Sequence, residues 1–236
     1  MTTRSLKEIG LAMVAVLATS AMAASAAQAQ QGKLTIEGGG TGTITGAQVG
    51  QHTLTLLGGR TLTCGVATFH GTVTSGDTSA TITPTYENCH LTLTPNTFPA
   101  TVTMNGCDYV SDDYTTVEAG DYVGTGNLVC DPGKDVEIHI YENATKHLEG
   151  KNLCKYTIQP QTGLGPVTAK NDPGTVGPPA VPNDVTIDAD EVEVAYTRTL
   201  GTTGNCGGPN GNAVYNGNTT VQVDVSGVLK GLTVSD

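Results

Sequence analysis

Six cysteines are the residues of this 236-residue chain best equipped for chemistry, and their spacing decides which chemistry that is. Cys64, Cys89, Cys107, Cys130, Cys154 and Cys206 stand 25, 18, 23, 24 and 52 residues apart. A zinc cluster needs tight pairs of the Cys-x-x-Cys kind, which are missing, and the same spacing argues against a catalytic thiol. An even count at wide intervals reads instead as three disulfides. The other reactive types are dispersed. His52, His70, His90, His139 and His147 include no pair at ligand spacing, and a lone strand histidine is ordinarily a surface or packed residue. No serine lies in Gly-x-Ser-x-Gly, and no phosphate-cradling glycine loop precedes a helix. The acidic runs "DADE" (188–191) and "SDD" (111–113) lack the spaced Asp-x-Asp-x-Asp-Gly pattern of a calcium loop and read as solvated turns. The sequence thus nominates no catalytic residue, no metal ligand and no cofactor. Its only nominated site residues are the six half-cystines.

The elements that must position those cysteines repeat with period two rather than 3.6. Runs such as "KLTIE" (33–37), "HTLTLL" (52–57), "TLTCGVATFHGTVT" (61–74), "SATITPTY" (79–86), "ATVTM" (100–104), "DVEIHIY" (135–141) and "VEVAYTRT" (192–199) alternate Thr with Val, Ile, Leu and Tyr. Turn residues separate them at short intervals, and only 143–152 could hold a helical turn. The expected fold is all-β: an antiparallel β-sandwich or partly open barrel stapled by disulfides. Asn105-Gly106 suits a type I′ hairpin, since both central residues need positive φ, and Pro132-Gly133 suits a tight turn between 126–130 and 135–141. The Pro- and Gly-dense stretch 171–184 cannot be a central strand. It is expected to be a surface crossover or linker within a single β domain spanning 30–236.

One hairpin fixes one disulfide. If Gly76-Asp77 is a two-residue loop, opposed residues sum to 153, and Cys64 and Cys89 do so. Counting outward places them at a non-hydrogen-bonded pair, where side chains approach most closely. Pro84 would then face Phe69 in a hydrogen-bonded pair with no N–H to give, so a bulge and a one-residue slip are expected there. The face carrying Ala67, Phe69, Val73, Ile82 and Tyr86 should be core. For the remaining four cysteines the connectivity stays open, Cys107–Cys130 with Cys154–Cys206 being the simplest choice.

Residues 1–29 read as a signal peptide: Arg4 and Lys7, the apolar run "LAMVAVLA" (11–18), and Ala27-Gln28-Ala29 at the cleavage site. Secretion to the periplasm or the exterior follows, with no membrane span. Losing Arg4, Lys7 and Glu8 turns the formal net charge of −11 into −12. Such an excess of acid repels phosphate backbones and anionic lipid, so nucleic acid is not an expected partner. With no Trp and two Phe, the chain has few of the side chains that bury the largest areas. Crosslinks would make up the deficit. Thr-x-Thr recurs at steps that vary between 8 and 11 residues, too irregular for stacked solenoid coils with an ice-ordering threonine face. The lack of aromatic girdles and long lipid-facing strands argues against a transmembrane barrel.

The segments "TCGVATFHGTVT", "TPTYENC", "FPATVTMNGCDYV", "VCDPGKDVEIHI" and "IQPQTGLGPVTAKND", within Leu62 to Asp172, resemble an uncharacterised family of exported bacterial Thr/Gly-rich six-cysteine β proteins. The resemblance implies export and a shared β fold, and it brings no activity, ligand or catalytic residue with it. The functional expectation is a secreted or envelope-associated non-enzymatic β protein that binds a ligand or forms part of the cell exterior, with a cell-envelope polysaccharide or surface protein as the partner class. The alternatives are a secreted carbohydrate-active hydrolase, whose two carboxylates would lie roughly 5–10 Å apart, and, less favoured, an ice- or crystal-binding threonine surface.

Overall fold

A computed structural model describes residues 31–118, 120–174 and 182–235, and the signal-peptide reading of 1–29 lies outside them. Fifteen strands follow in order: β1 (Lys33–Ile36), β2 (Thr41–Gln48), β3 (His52–Leu56), β4 (Arg60–Thr74), β5 (Ala80–Leu93), β6 (Asn96–Thr103), β7 (Cys107–Glu118), β8 (Asp121–Cys130), β9 (Val136–Tyr141), β10 (Asn152–Ile158), β11 (Gln161–Asp172), β12 (Asp184–Leu200), β13 (Asn210–Val225), β14 (Val228–Lys230) and β15 (Leu232–Ser235). Two short helices interrupt them, α1 (Ala144–Leu148) and α2 (Thr203–Cys206). Asn143 caps α1 by accepting a hydrogen bond from the Lys146 amide, as a side chain at that position should. The chain is therefore all-β and antiparallel, as the period-two pattern requires.

The ladder of hydrogen bonds closes on itself twice. One circuit runs β3–β4–β5–β6–β9–β10–β12–β13 and returns to β3. The other runs β2–β4–β5–β7–β8–β11–β12–β13 and returns to β2. The strands common to both, β4, β5, β12 and β13, are the long ones, at 15, 14, 17 and 16 residues. Each circuit encloses its own apolar cluster. Leu62, Leu91, Ile138, Ile140, Tyr156 and Val194 belong to the first. Ile44, Val73, Tyr114, Ala169, Val185 and Val223 belong to the second. A separate ribbon of β1 paired with β15 adds Leu34, Ile36, Leu232 and Val234 to the second cluster.

All three disulfides form within the chain: Cys64–Cys89, Cys107–Cys130 and Cys154–Cys206. Cys64 opposes Cys89 in the β4–β5 ladder, and every pair in that ladder sums to 153. The expected bulge is absent. Phe69 faces Pro84 with no slip of register, so the proline is accommodated without an extra residue. Cys107 likewise opposes Cys130 across β7 and β8. Cys154–Cys206 ties β10 to α2, where Tyr156 donates to the Cys206 carbonyl at 2.6 Å and burial raises that phenol to about 12.

Asn105 and Gly106 do adopt positive φ (53° and 79°), and the Cys107 amide donates to the Met104 carbonyl across the turn. The expected hairpin is not there, because β6 pairs with β5 and β9 while β7 pairs with β5 and β8. The turn splits two strands apart instead of folding one onto the other. Pro132-Gly133 is a tight turn, closed by the Lys134 amide to the Asp131 carbonyl. The stretch 171–184 lies partly outside the described residues; its ends, Asp172 and Asp184, oppose each other in the β11–β12 ladder. Among the described residues, no helix is long and apolar enough to cross a membrane.

Candidate functional site

Strand alternation sends His52, Leu54 and Leu56 of β3 to the interior while Thr53 and Thr55 face outward. His52 is thereby buried at 3% exposure in a wall otherwise made of leucines. Room for its ring comes from Gly217 on β13, where a Cβ would stand 2.4 Å from His52 Nδ1. Three tyrosines from three other strands converge on it: Tyr86 of β5, Tyr109 of β7 and Tyr215 of β13. The His52 ring packs against Phe69, Tyr86 and Tyr215 with centroids 5.4, 6.4 and 5.8 Å away.

The polar atoms of this cluster form a chain whose protons can be followed. His52 Nε2 lies 3.2 Å from the Asn218 carbonyl oxygen, which can only accept, so Nε2 carries the proton and Nδ1 is bare. Nδ1 then accepts from the Tyr215 hydroxyl at 2.6 Å. The Tyr86 hydroxyl lies 3.3 Å from that of Tyr215 and has one proton to give. That proton is directed at Tyr109, 3.4 Å away, so the approach of Tyr86 to Tyr215 has no proton between the two oxygens. The remaining proton, on Tyr109, has no acceptor among the described residues.

Burial keeps every member neutral. It lowers the His52 pKa, with the Asn218 hydrogen bond opposing in part. Burial pushes Tyr86 well above the usual phenol range, and Tyr109 and Tyr215 add to that; it raises Tyr109 and Tyr215 as well. The tyrosines nevertheless keep part of their surface free. Each of them lines an apolar hollow between the strands, where desolvation governs its ionisation.

The hollow has two chambers that meet at the cluster. A chamber of about 50 Å³ is walled by Leu54, Leu62, Val102, Met104, Ile138 and the Cys64 half of the first disulfide. A larger one of about 110 Å³ is walled by Phe69, Ile82, Val167, Ile187, Ala189 and Val192. His52, Tyr109, Leu164, Val194 and Tyr215 line both. Neither lining contains a carboxylate, a lysine or an arginine. Ile82, Val102, Val110, Val167 and Ile187 point inward yet remain only half-buried. Val102 and Val167 pack against the first apolar cluster and Ile82 and Ile187 against the second, without being fully covered.

The six half-cystines pair as staples around this interior, and among the described residues no group of three or more His, Cys, Asp or Glu could hold a metal ion. The five histidines remain scattered: His139 pairs with Glu137, His147 stacks on Tyr141, and only His52 turns inward. Reading the sequence by motif missed the cluster. A usable signal was present at one end, since His52 shares the parity of Leu54 and Leu56. Tyr215 lies in "NGNAVYNGNTT", where Gly and Asn conceal the strand. Comparison of the chain with family models, with curated proteins and with solved structures gave no match in any of the three. What stands is a disulfide-stapled antiparallel β protein with a hollow interior and a neutral His–Tyr cluster at its middle.

Proposed function

We propose that this is an exported, non-enzymatic binding protein whose interior holds a small apolar ligand. The observation that carries the reading is the set of inward-facing Ile and Val side chains left half-buried around four converging neutral polar groups. Protein interiors pack as densely as organic crystals, so a stable fold gains by filling such a space. Apolar chambers with a few convergent polar groups are the usual form of small-molecule sites. Export accords with three intramolecular disulfides, which persist in oxidising compartments, and with the resemblance to exported bacterial proteins. The hydrolase reading draws nothing from these chambers, whose walls have no carboxylate pair.

Xenon tests the reading directly, because it enters dry apolar cavities. Methyl resonances of Ile82, Leu164 and Ile187 should shift under xenon pressure in the mature disulfide-bonded protein. Ala189→Phe, which fills the larger chamber, should suppress the effect. Unmoved methyls in the wild type would sink the proposal.

The outer face favours a second use. Thr55, Thr61, Thr92 and Thr97 oppose one another across β3, β4, β5 and β6, and Thr43, Thr72 and Thr81 do the same across β2, β4 and β5. Register aligns these hydroxyls despite their uneven sequence spacing. A row of this kind suits envelope polysaccharide, and retention of the tagged protein on envelope fractions would support it; loss of retention in Thr61→Val with Thr92→Val would place the contact there.

A further inference from the structure

The proton count at the centre of the molecule says more about the ligand than the shape of the chambers does. The Asn218 carbonyl, which can only accept, sets the direction of the chain at His52. It fixes the His52 proton, His52 Nδ1 takes the proton of Tyr215, and Tyr86 gives its one proton to Tyr109. The chain therefore ends on a donor. Tyr109 lines both chambers, so its unclaimed O–H opens into the space that a ligand would fill. A donor kept from water without an acceptor costs on the order of 1–3 kcal/mol. A guest that supplies the acceptor removes that cost, whereas a purely apolar guest leaves it in place.

Charge is excluded on the same grounds. The lining offers no cation to an anionic guest and no carboxylate to a cationic one, and burial keeps His52 and the tyrosines neutral. Size is bounded as well: an engineered apolar cavity of about 150 Å³ accommodates benzene, and the larger chamber is about 110 Å³ with the smaller adjoining it. Building on the interior-binding reading above, we infer that the ligand is a small uncharged molecule, of roughly six to ten heavy atoms, with an apolar body and one acceptor oxygen received by the Tyr109 hydroxyl. Ketones, aldehydes and ethers of aromatic or branched aliphatic type meet this description.

The test uses three probes of nearly equal size: acetophenone, its carbonyl-free isostere α-methylstyrene, and benzoate. Each is titrated into the mature protein and followed by heteronuclear NMR. Wild type should bind acetophenone about five-fold or more tighter than α-methylstyrene, the worth of one hydrogen bond, and should not bind benzoate. Tyr109→Phe, which keeps the ring and removes the hydroxyl, should abolish that preference. Equal affinity for the two neutral probes in the wild type overturns the acceptor inference and leaves interior binding intact. Failure of both neutral probes, together with silent xenon shifts, overturns the interior site itself. Because the decisive comparison is made in the wild type, it stands even if the variant folds poorly.

Discussion

At the scale of single residues, His52 governs how the interior answers to pH and to crowding. Its folded-state pKa is lowered by burial, so the neutral form is the one the fold favours. The sign follows directly. The unfolded chain takes up a proton near the ordinary histidine value of about 6.5, while the folded chain resists until the pH is lower. Stability attributable to His52 is therefore fully present above that ordinary value and is lost as the pH falls through the folded pKa. Urea denaturation across this range should show the loss in the wild type and a flatter profile in His52→Gln; parallel profiles would remove His52 as the cause. Gly217 provides a second lever. Because a Cβ there would sit 2.4 Å from His52 Nδ1 and 2.9 Å from the Tyr215 hydroxyl, Gly217→Ala should displace the ring and cost about 1–3 kcal/mol, the usual penalty for overpacking. A variant as stable as wild type would mean that the ring moves freely.

Among the elements, the staples and the charged ends of paired strands carry separable effects. Cys64–Cys89 and Cys107–Cys130 close intervals of 25 and 23 residues, and Cys154–Cys206 closes 52. By loop-closure entropy the first two contribute about 3.5 kcal/mol each and the third about 4 kcal/mol. Paired Cys→Ser variants at 154 and 206 should therefore lower the melting temperature at least as much as those at 64 and 89. The third bridge also holds α2, whose carbonyls at Gly204 and Asn205 accept from the Arg60 guanidinium. The reverse effect is expected where Asp172 opposes Asp184. Burial first, and then the Asp172 charge, raise the Asp184 pKa, so the ionised carboxyl works against the fold at neutral pH. Asp184→Asn should stabilise by a few tenths of a kcal/mol, typical of relieving like charges in opposed positions, and a loss of stability would contradict this. How much of this could be read from the chain alone differs by element. The β4–β5 register and its cysteine pair follow from the constant sum, although the connection runs from Ser75 to Ser79, closed by the Asp77 amide on the Thr74 carbonyl, and is not the expected two-residue loop at Gly76-Asp77. β11 and the first half of β13 were hidden, because Gly, Pro and Asn interrupt the alternation even though their neighbours pair on both sides. The Asn105-Gly106 turn has its expected backbone, yet which strands pair beyond a turn depends on partners far away in sequence.

For the whole molecule, the sharing of four long strands between two circuits sets the order in which parts can open. Breaking the β9–β10 side leaves β4, β5, β12 and β13 still paired through β2, β7, β8 and β11; breaking that second side leaves them paired through β3, β6, β9 and β10. Amides near the middle of the shared strands, such as those around Val66 to Phe69 and Val192 to Val194, lose their partners only when both circuits fail. Local openings span a range of free energies up to that of global unfolding, and these amides should define its top. At the bottom belong β14, paired only with β13 and carrying exposed Val228 and Leu229, and α1, which buries no residue. Native-state hydrogen exchange should return that ranking, with β9 and β10 in between. A filled interior should raise β3, β5, β7 and β13 together, because His52, Tyr86, Tyr109 and Tyr215 each come from one of these strands. If the mid-strand amides of β4 and β12 exchange with the same free energy as those of β9 and β10, the two circuits open as one and the shared strands confer no separate protection.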